Sequence, residues 1–271
     1  MNRFEMARCI ADRLREEKER LWEEYRLPGA IPSFIIDNVL PQDVAQRIFA
    51  AFPERGRMIF KNSIRERKFV AAQMDKYDAI LEEAVFAFQE KEVVKEITEI
   101  TGIVGLETDC NLYAGGISAM SKGNYLKPHL DNSHDGKQEK YRAVNLLYYV
   151  TPEWKLENGG NLEMWDNGLR RSPRTIESSF NRLVLMATNQ ISWHSVSTIK
   201  CEATRCCVSN YYFCERTPEE YDYFHATSFR GRPDEPLRDI VMRADNALRT
   251  RILKTTGTRV YKNPHIYKRA T

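Results

Sequence analysis

The chain has 271 residues, 42% of them hydrophobic and 29% charged, ordinary composition for one large or two small globular domains. Its net charge of +3 is too small to argue for a nucleic-acid partner, and no run of 18 or more uncharged apolar residues offers a membrane span. Because Met1-Asn2-Arg3-Phe4-Glu5 lacks the basic-then-apolar pattern of a secretory signal, the expected address is the cytoplasm.

Residues 4–25 place Phe4, Ala7, Ala11, Leu14, Leu21 and Tyr25 at three- and four-residue steps among Arg, Glu and Lys, the pattern of an amphipathic helix packed on the body. Leu27-Pro28-Gly29 ends it, residues 31–40 read as a short strand, and Pro41-Gln42-Asp43 opens a helix carrying Val44, Ile48, Ala51 and Phe52 on one face. Residues 55–68 are charged and aperiodic, so a loop that covers a site is expected. From Ala79 to Thr101 the 3.6-residue rhythm returns as one helix, stopped by Gly102.

Beyond Gly102 the period changes to two. Residues 103–107, 110–113, 142–150, 162–165, 182–187, 191–196 and 205–213 are strand candidates separated by Gly115-Gly116, Gly123-Asn124, Gly159-Gly160 and Gly168 turns. Such strands argue for a sandwich or barrel, with helices supplied by the first hundred residues. Residues 217–221 resemble a helix start, and 237–253 are helical again. One catalytic domain is expected: 1–104 as mainly helical support, 105–216 as the core and 217–271 as an extension. Its tail carries Arg249, Arg251, Lys254, Arg259, Lys262, Lys268 and Arg269 with no acidic residue. Such a tail is either solvated or makes a peripheral contact with an anionic surface such as the inner membrane. The cysteines at 9, 110, 201, 206, 207 and 214 form no CxxC pair, so buried free thiols are expected and not disulfides or a zinc site.

The chemistry concentrates between residues 125 and 205. In His129-Leu130-Asp131 the imidazole and carboxylate are two apart and share a strand face. His194, in Ile191-Ser192-Trp193-His194-Ser195-Val196, is the natural third ligand, and two His with one carboxylate leave positions open on a metal, as in non-haem Fe(II) oxygenases. A dicarboxylate cosubstrate needs a cation at its far end. Arg205 follows His194 on the next strand, and its guanidinium can grip a carboxylate with two parallel hydrogen bonds. By the two-residue period Arg205, Cys207, Ser209 and Tyr211 face the interior, where Ser209 could donate to the same carboxylate. A lone HxD has little weight; the ordered combination is specific. His134, His225 and His265 fit a ligand role worse.

Tyr125-Leu126-Lys127-Pro128-His129-Leu130-Asp131, residues 142–150, Gly159-Gly160-Asn161-Leu162, Trp193-His194 and Thr204-Arg205 together resemble the prolyl-4-hydroxylase-like branch of Fe(II)/2-oxoglutarate dioxygenases. The resemblance covers about residues 105–216. It implies an α+β fold: a double-stranded β-helix (jelly-roll) core flanked by N-terminal helices and a C-terminal helical extension. It further implies iron on His129, Asp131 and His194, and 2-oxoglutarate held by Arg205 and Tyr149, with Ser209 and Leu162 beside them. The reaction implied consumes O2 and yields succinate and carbon dioxide, with ascorbate as an accessory reductant. Where many members carry a tyrosine about ten residues before the HxD histidine, this chain has Ala119. The flanks are most similar to the Kdo hydroxylases, which act on the acidic sugar of lipid A, a membrane-embedded lipopolysaccharide. The runner-up is a peptidyl-prolyl hydroxylase, and the non-enzyme alternative is a metal-free jelly-roll binding protein. No nucleic acid is expected as partner, for want of an aromatic-lined basic groove.

Overall fold

Apolar side chains recurring every three to four residues in the first hundred positions, and mainly every two in the next hundred, divide the molecule into helices and a sheet. The computed structural model describes residues 1–217, 223–256 and 267–268. In chain order come α1 (Arg3–Glu16), α2 (Lys18–Tyr25), β1 (Ser33–Asp37), α3 (Gln42–Ala50), β2 (Ile59–Asn62), β3 (Glu66–Ala71), α4 (Ala79–Ala87) and α5 (Lys91–Thr101). The strands β4 (Glu107–Thr108), β5 (Gly116–Met120), β6 (Tyr125–Leu130), β7 (Tyr141–Tyr149) and β8 (Leu162–Met164) follow. Next are β9 (Arg174–Ile176), β10 (Arg182–Ala187), β11 (His194–Val196), β12 (Arg205–Cys214), β13 (Ser228–Phe229) and α6 (Pro236–Thr256).

The strands form one curled antiparallel sheet, ordered β1-β10-β7-β12-β5-β3-β6-β11-β8-β9, with β13 added to β6, β2 to β3 and β4 to β12. This is the expected α+β jelly-roll with flanking helices. The sheet is not confined to residues 105–216, however, because β1 pairs with β10, and β3 lies between β5 and β6. Alternation along the strands feeds two cores. Tyr148, Leu146, Val144, Val208 and Tyr212 face a large cluster completed by Ile10, Leu14, Leu81, Val85, Phe88 and Ile97 of the helices. Tyr149, Cys207, Leu162, Met164, Ile176, Val184 and Met186 form a smaller cluster on the inner face.

Several sequence expectations are corrected. Residues 55–68 are not a loop but lead into the β2–β3 hairpin, whose facing Phe60 and Phe69 rings stack at 4.6 Å. The helix expected over residues 79–101 is broken after Phe88, where Gln89 leaves the helical path to donate to Asp109 O and Asn210 Oδ1 at 3.0 and 2.8 Å. The first helix is likewise interrupted, at Glu17. Residues 110–113 form a turn, and β9 went unforeseen. Residues 218–221 of the expected helix start, and residues 257–266 and 269–271 of the basic tail, lie outside the described residues. Among the described residues all six cysteines are free, with Cys206, Cys207 and Cys214 buried and Cys110 exposed.

Gly159 shows why the Gly-Gly turn is needed. Its φ is 71° and ψ −161°, a region essentially closed to L side chains, and a Cβ there would lie 2.0 Å from the backbone oxygen of Thr198. Gly159→Ala is therefore expected to lower stability by about 1–3 kcal/mol, the range for such strain. Equilibrium denaturation measures it, and an unchanged midpoint would show that the turn relaxes freely.

Candidate active site

Strand pairing builds the centre. In the β6–β11 ladder His129 lies directly opposite His194, and the two ring centroids are 4.0 Å apart. Each imidazole makes the same local bond: His129 Nδ1 to Lys127 O and His194 Nδ1 to Ser192 O, both 2.9 Å. A backbone carbonyl can only accept, so both Nδ1 atoms carry a proton, and in the neutral ring it is the Nε2 atom that offers a lone pair. Those Nε2 atoms lie 3.6 and 3.8 Å from the two Asp131 oxygens. The three donors fall within 4.8 Å of one another, all buried, and Asp131 Oδ2 has no hydrogen-bond partner. Two neutral imidazoles and an ionised carboxylate with an unsatisfied oxygen are the donor set of the facial triad that holds Fe(II).

The surrounding charges favour that protonation state. Burial, and then the neighbouring His194, push His129 down to about 3. Burial alone would raise Asp131, but Arg142 first and the two imidazoles next draw it down to about 2. Arg142 Nη1 is 3.5 Å from Asp131 Oδ1, and Lys68 of β3 adds positive charge toward both ligands.

The cosubstrate pocket lies on the inner cluster. Arg205 is 4% exposed and donates from Nη1 to Gly160 O at 2.8 Å, leaving Nε without a partner. Its guanidinium carbon is 5.1 Å from the ring centroid of Tyr149, whose buried hydroxyl is also unpartnered. Two unsatisfied donors beside a wall of Leu162, Met164, Ile176 and Val184 suit an aliphatic acid: carboxylate on Arg205 and Tyr149, carbon chain on the wall. Gly160 carries φ 67°, a conformation that L side chains rarely adopt, so the glycine whose carbonyl meets Arg205 cannot be replaced without strain.

Arg205, Tyr149 and Leu162 are thus brought together as expected, and Ser209 is not. It stands four residues farther along β12, roughly 13 Å at strand rise, and its hydroxyl is directed to Gly116 O at 3.5 Å. Ala119 belongs to the cluster facing the helices, so alternation turns its neighbours Ser118 and Met120 inward instead.

Arg142 was missed by the sequence reading. Counting by twos from Tyr149 puts it on the helical face, but the β7–β12 register slips between Val144 and Arg142, with Ala143 as the extra residue. That bulge turns Arg142 inward, fully buried, 4.1 Å from the Tyr211 ring centroid and beside Asp131. No feature of the local sequence announces the bulge. His225 is tied to the chain just after the ligand strand, since its backbone N and O bond Ser133 Oγ and N at 2.9 and 3.0 Å, and its ring stacks on Tyr223 at 5.7 Å. His134 instead bonds Ser133 Oγ at 2.8 Å and packs on Tyr141.

Residues 115–213 match the family model of the 2OG-Fe(II) oxygenase superfamily, a span holding every donor just described. Prolyl 3-hydroxylase OGFOD1 of Mus musculus is 30% identical over 96 residues, covering 34% of this chain and 17% of that protein. The match thus spans about a sixth of the curated relative's length. Among solved structures, a Pseudomonas putida prolyl-4-hydroxylase superposes with TM-score 0.53 at 15% identity, covering 73% of this chain and all of that one. A Trichoplax adhaerens prolyl hydroxylase, in complex with a hypoxia inducible factor oxygen degradation domain peptide fragment, gives 0.51 at 18% identity, with 74% and 92% covered. At these identities the structural likeness is one of fold. Residues 115–213 thus resemble a 2OG-Fe(II) oxygenase core, and the donor set they hold fits Fe(II) and 2-oxoglutarate.

The titration of His129 predicts a pH dependence for the metal-free protein. Its native pKa of about 3 lies below the ~6.5 of an unfolded histidine, so between those values only the unfolded chain takes up the proton. Stability is therefore lost as pH falls through this window. Urea denaturation of the apo protein is expected to show a steeper loss from about pH 6.5 to 4 for wild type than for His129→Gln. Equal slopes would contradict the assignment.

Proposed function

We propose that this protein is an Fe(II)- and 2-oxoglutarate-dependent dioxygenase that hydroxylates an unactivated C–H bond, with succinate and carbon dioxide as coproducts. The observation that carries this reading is the convergence of two bare Nε2 lone pairs and the Asp131 carboxylate beside the unsatisfied donors of Arg205 and Tyr149. Bound iron supplies the activation of O2, one atom of which enters the substrate and the other succinate. The protein's part is to fix the imidazole tautomers, keep Asp131 ionised through Arg142, and hold the far carboxylate of the cosubstrate in a dry pocket. A metal-free binding role is disfavoured because every ligand is present and in register.

For the substrate, a peptidyl proline is the reading favoured by the sequence relative, itself a prolyl 3-hydroxylase. A second reading, an acidic sugar such as the Kdo of a membrane-embedded lipid, draws on an open cavity of about 450 Å³ lined by Arg170, Arg243, Trp193 and the Asp239-paired Arg230. There an anionic substrate would meet guanidinium groups. The sugar-lipid reading would place the protein in the cytoplasm at the inner membrane; the peptide reading needs no membrane contact.

With Fe(II), 2-oxoglutarate and O2, wild type is expected to form succinate, and His129→Ala and Asp131→Ala to lose that activity. Arg205→Gln is expected to raise KM for 2-oxoglutarate roughly 10- to 100-fold, the loss of a charged hydrogen bond. Succinate production unchanged in all three would sink the assignment. Mass spectrometry of proline-containing peptides and of Kdo-bearing lipid A then discriminates the substrates: an added oxygen on the peptide supports the first reading, and on the sugar alone the second.

A further inference from the structure

We propose that Phe229 is a positioning residue for the metal ligand His129, and that the segment from β13 to α6 completes the iron site by holding Phe229 in place. The proposal rests on the iron-site reading above, but concerns residues beyond the 115–213 match.

A histidine fixed only through Nδ1 can still tilt about that hydrogen bond, and tilt moves the Nε2 lone pair away from the metal. Outer contacts that remove such freedom tune ligand geometry and metal affinity. The Phe229 ring provides one: it lies nearly parallel to His129, 16° between planes, with centroids 5.2 Å apart. Phe229 is buried yet belongs to neither of the two cores nor to the small cluster of Met120, Trp154, Val196 and Ile199, so filling a common core does not explain it. Its place is set by β13, which pairs with β6 in the register Phe229 opposite His129, and by Arg230 N donating to Pro128 O at 2.8 Å.

A strand of two residues does not hold itself. On its other edge the Asn246 side chain of α6 accepts from Phe229 N at 3.1 Å and donates to Phe229 O at 2.6 Å, replacing a neighbouring strand with a single amide. Arg65, from the β2–β3 turn, lies 5.9 Å from the Phe229 ring centroid and is ion-paired with Asp245 of α6. Farther along, Arg230 grips Asp239 at 2.6 and 2.9 Å, and Lys127 of the ligand strand bonds Glu235 at 2.7 Å. Arg232 pairs with Glu163, which accepts from Ser195 Oγ at 2.7 Å, next to His194. The extension is thereby tied to both strands that carry imidazole ligands.

The test is the affinity of the full-length apo protein for Mn(II), a redox-inert probe, measured by calorimetric titration. Phe229→Ala is expected to bind about 10-fold or more weakly, the usual cost of losing an outer contact to a ligand. Phe229→Tyr is expected to restore near wild-type affinity, and Phe229→Leu, which keeps bulk without a ring, to fall between; the latter two serve if the alanine variant does not fold. Asn246→Ala is expected to weaken binding too, while the Phe229→Ala/Asn246→Ala pair binds no worse than Phe229→Ala, because Asn246 acts through the ring. Wild-type affinity in Phe229→Ala and Phe229→Leu, or losses that simply add in the double variant, would overturn the proposal. A wild-type chain that binds Mn(II) no better than His129→Ala would overturn the iron site itself, a different result.

Discussion

Three electron-rich atoms are held together in this protein with nothing among them to attract one another. Two imidazole lone pairs and a carboxylate oxygen, buried within 4.8 Å, are a cost in the absence of a cation, since none of them can donate to another. The surrounding structure aims these atoms through a repeated device: a backbone carbonyl two residues before each histidine accepts a hydrogen bond from its Nδ1–H. Direct cross-strand pairing of His129 with His194 then leaves both Nε2 atoms no other direction. The helices, the turn glycines and the extension all act on the stability or aim of this one unsatisfied spot.

Charge is arranged around the centre in the same economical way. Arg142 keeps Asp131 ionised in a place where burial favours the neutral acid, and the bulge at Ala143 is what delivers it. Arg205 is kept apart by the Gly160 carbonyl, which occupies one guanidinium nitrogen and leaves another to meet a carboxylate. Two arginines 63 positions apart in the chain thus have different neighbours on the inner sheet face: Arg142 lies against Asp131, and Arg205 against the Gly160 carbonyl and the Tyr149 ring. 

The legible part of the site consisted of residues whose spacing is local. His129 and Asp131 share a strand face by the period of two and Arg205 begins the strand after His194, whereas Tyr149, at the end of the strongest strand in the chain, was implied only by the family resemblance. Ser209 shows the limit of that reasoning: it shares a face with Arg205, but alternation fixes a face and says nothing about distance along it. Arg142 shows the opposite failure, because one extra residue in a strand reverses every inference made from its far end. His225 and Phe229 were beyond reach for a third reason: they come from a two-residue strand and its approach, too short to have a pattern.

By itself the sequence indicated most of the elements and the reaction class proposed above, since hydrophobic period separates helix from strand and an ordered set of ligand types restricts the chemistry. It could not determine that residues 55–71 form a hairpin within the sheet, that the Gly-Gly turn props up Arg205, or that the last helix reaches the first metal ligand through Asn246 and Phe229. Those are pairings between segments far apart in the chain, chosen by which edges and faces remain unsatisfied once the rest has folded. Only the tertiary structure decides them, because hydrogen-bonding edges and buried ring faces have no signature until their neighbours are in place.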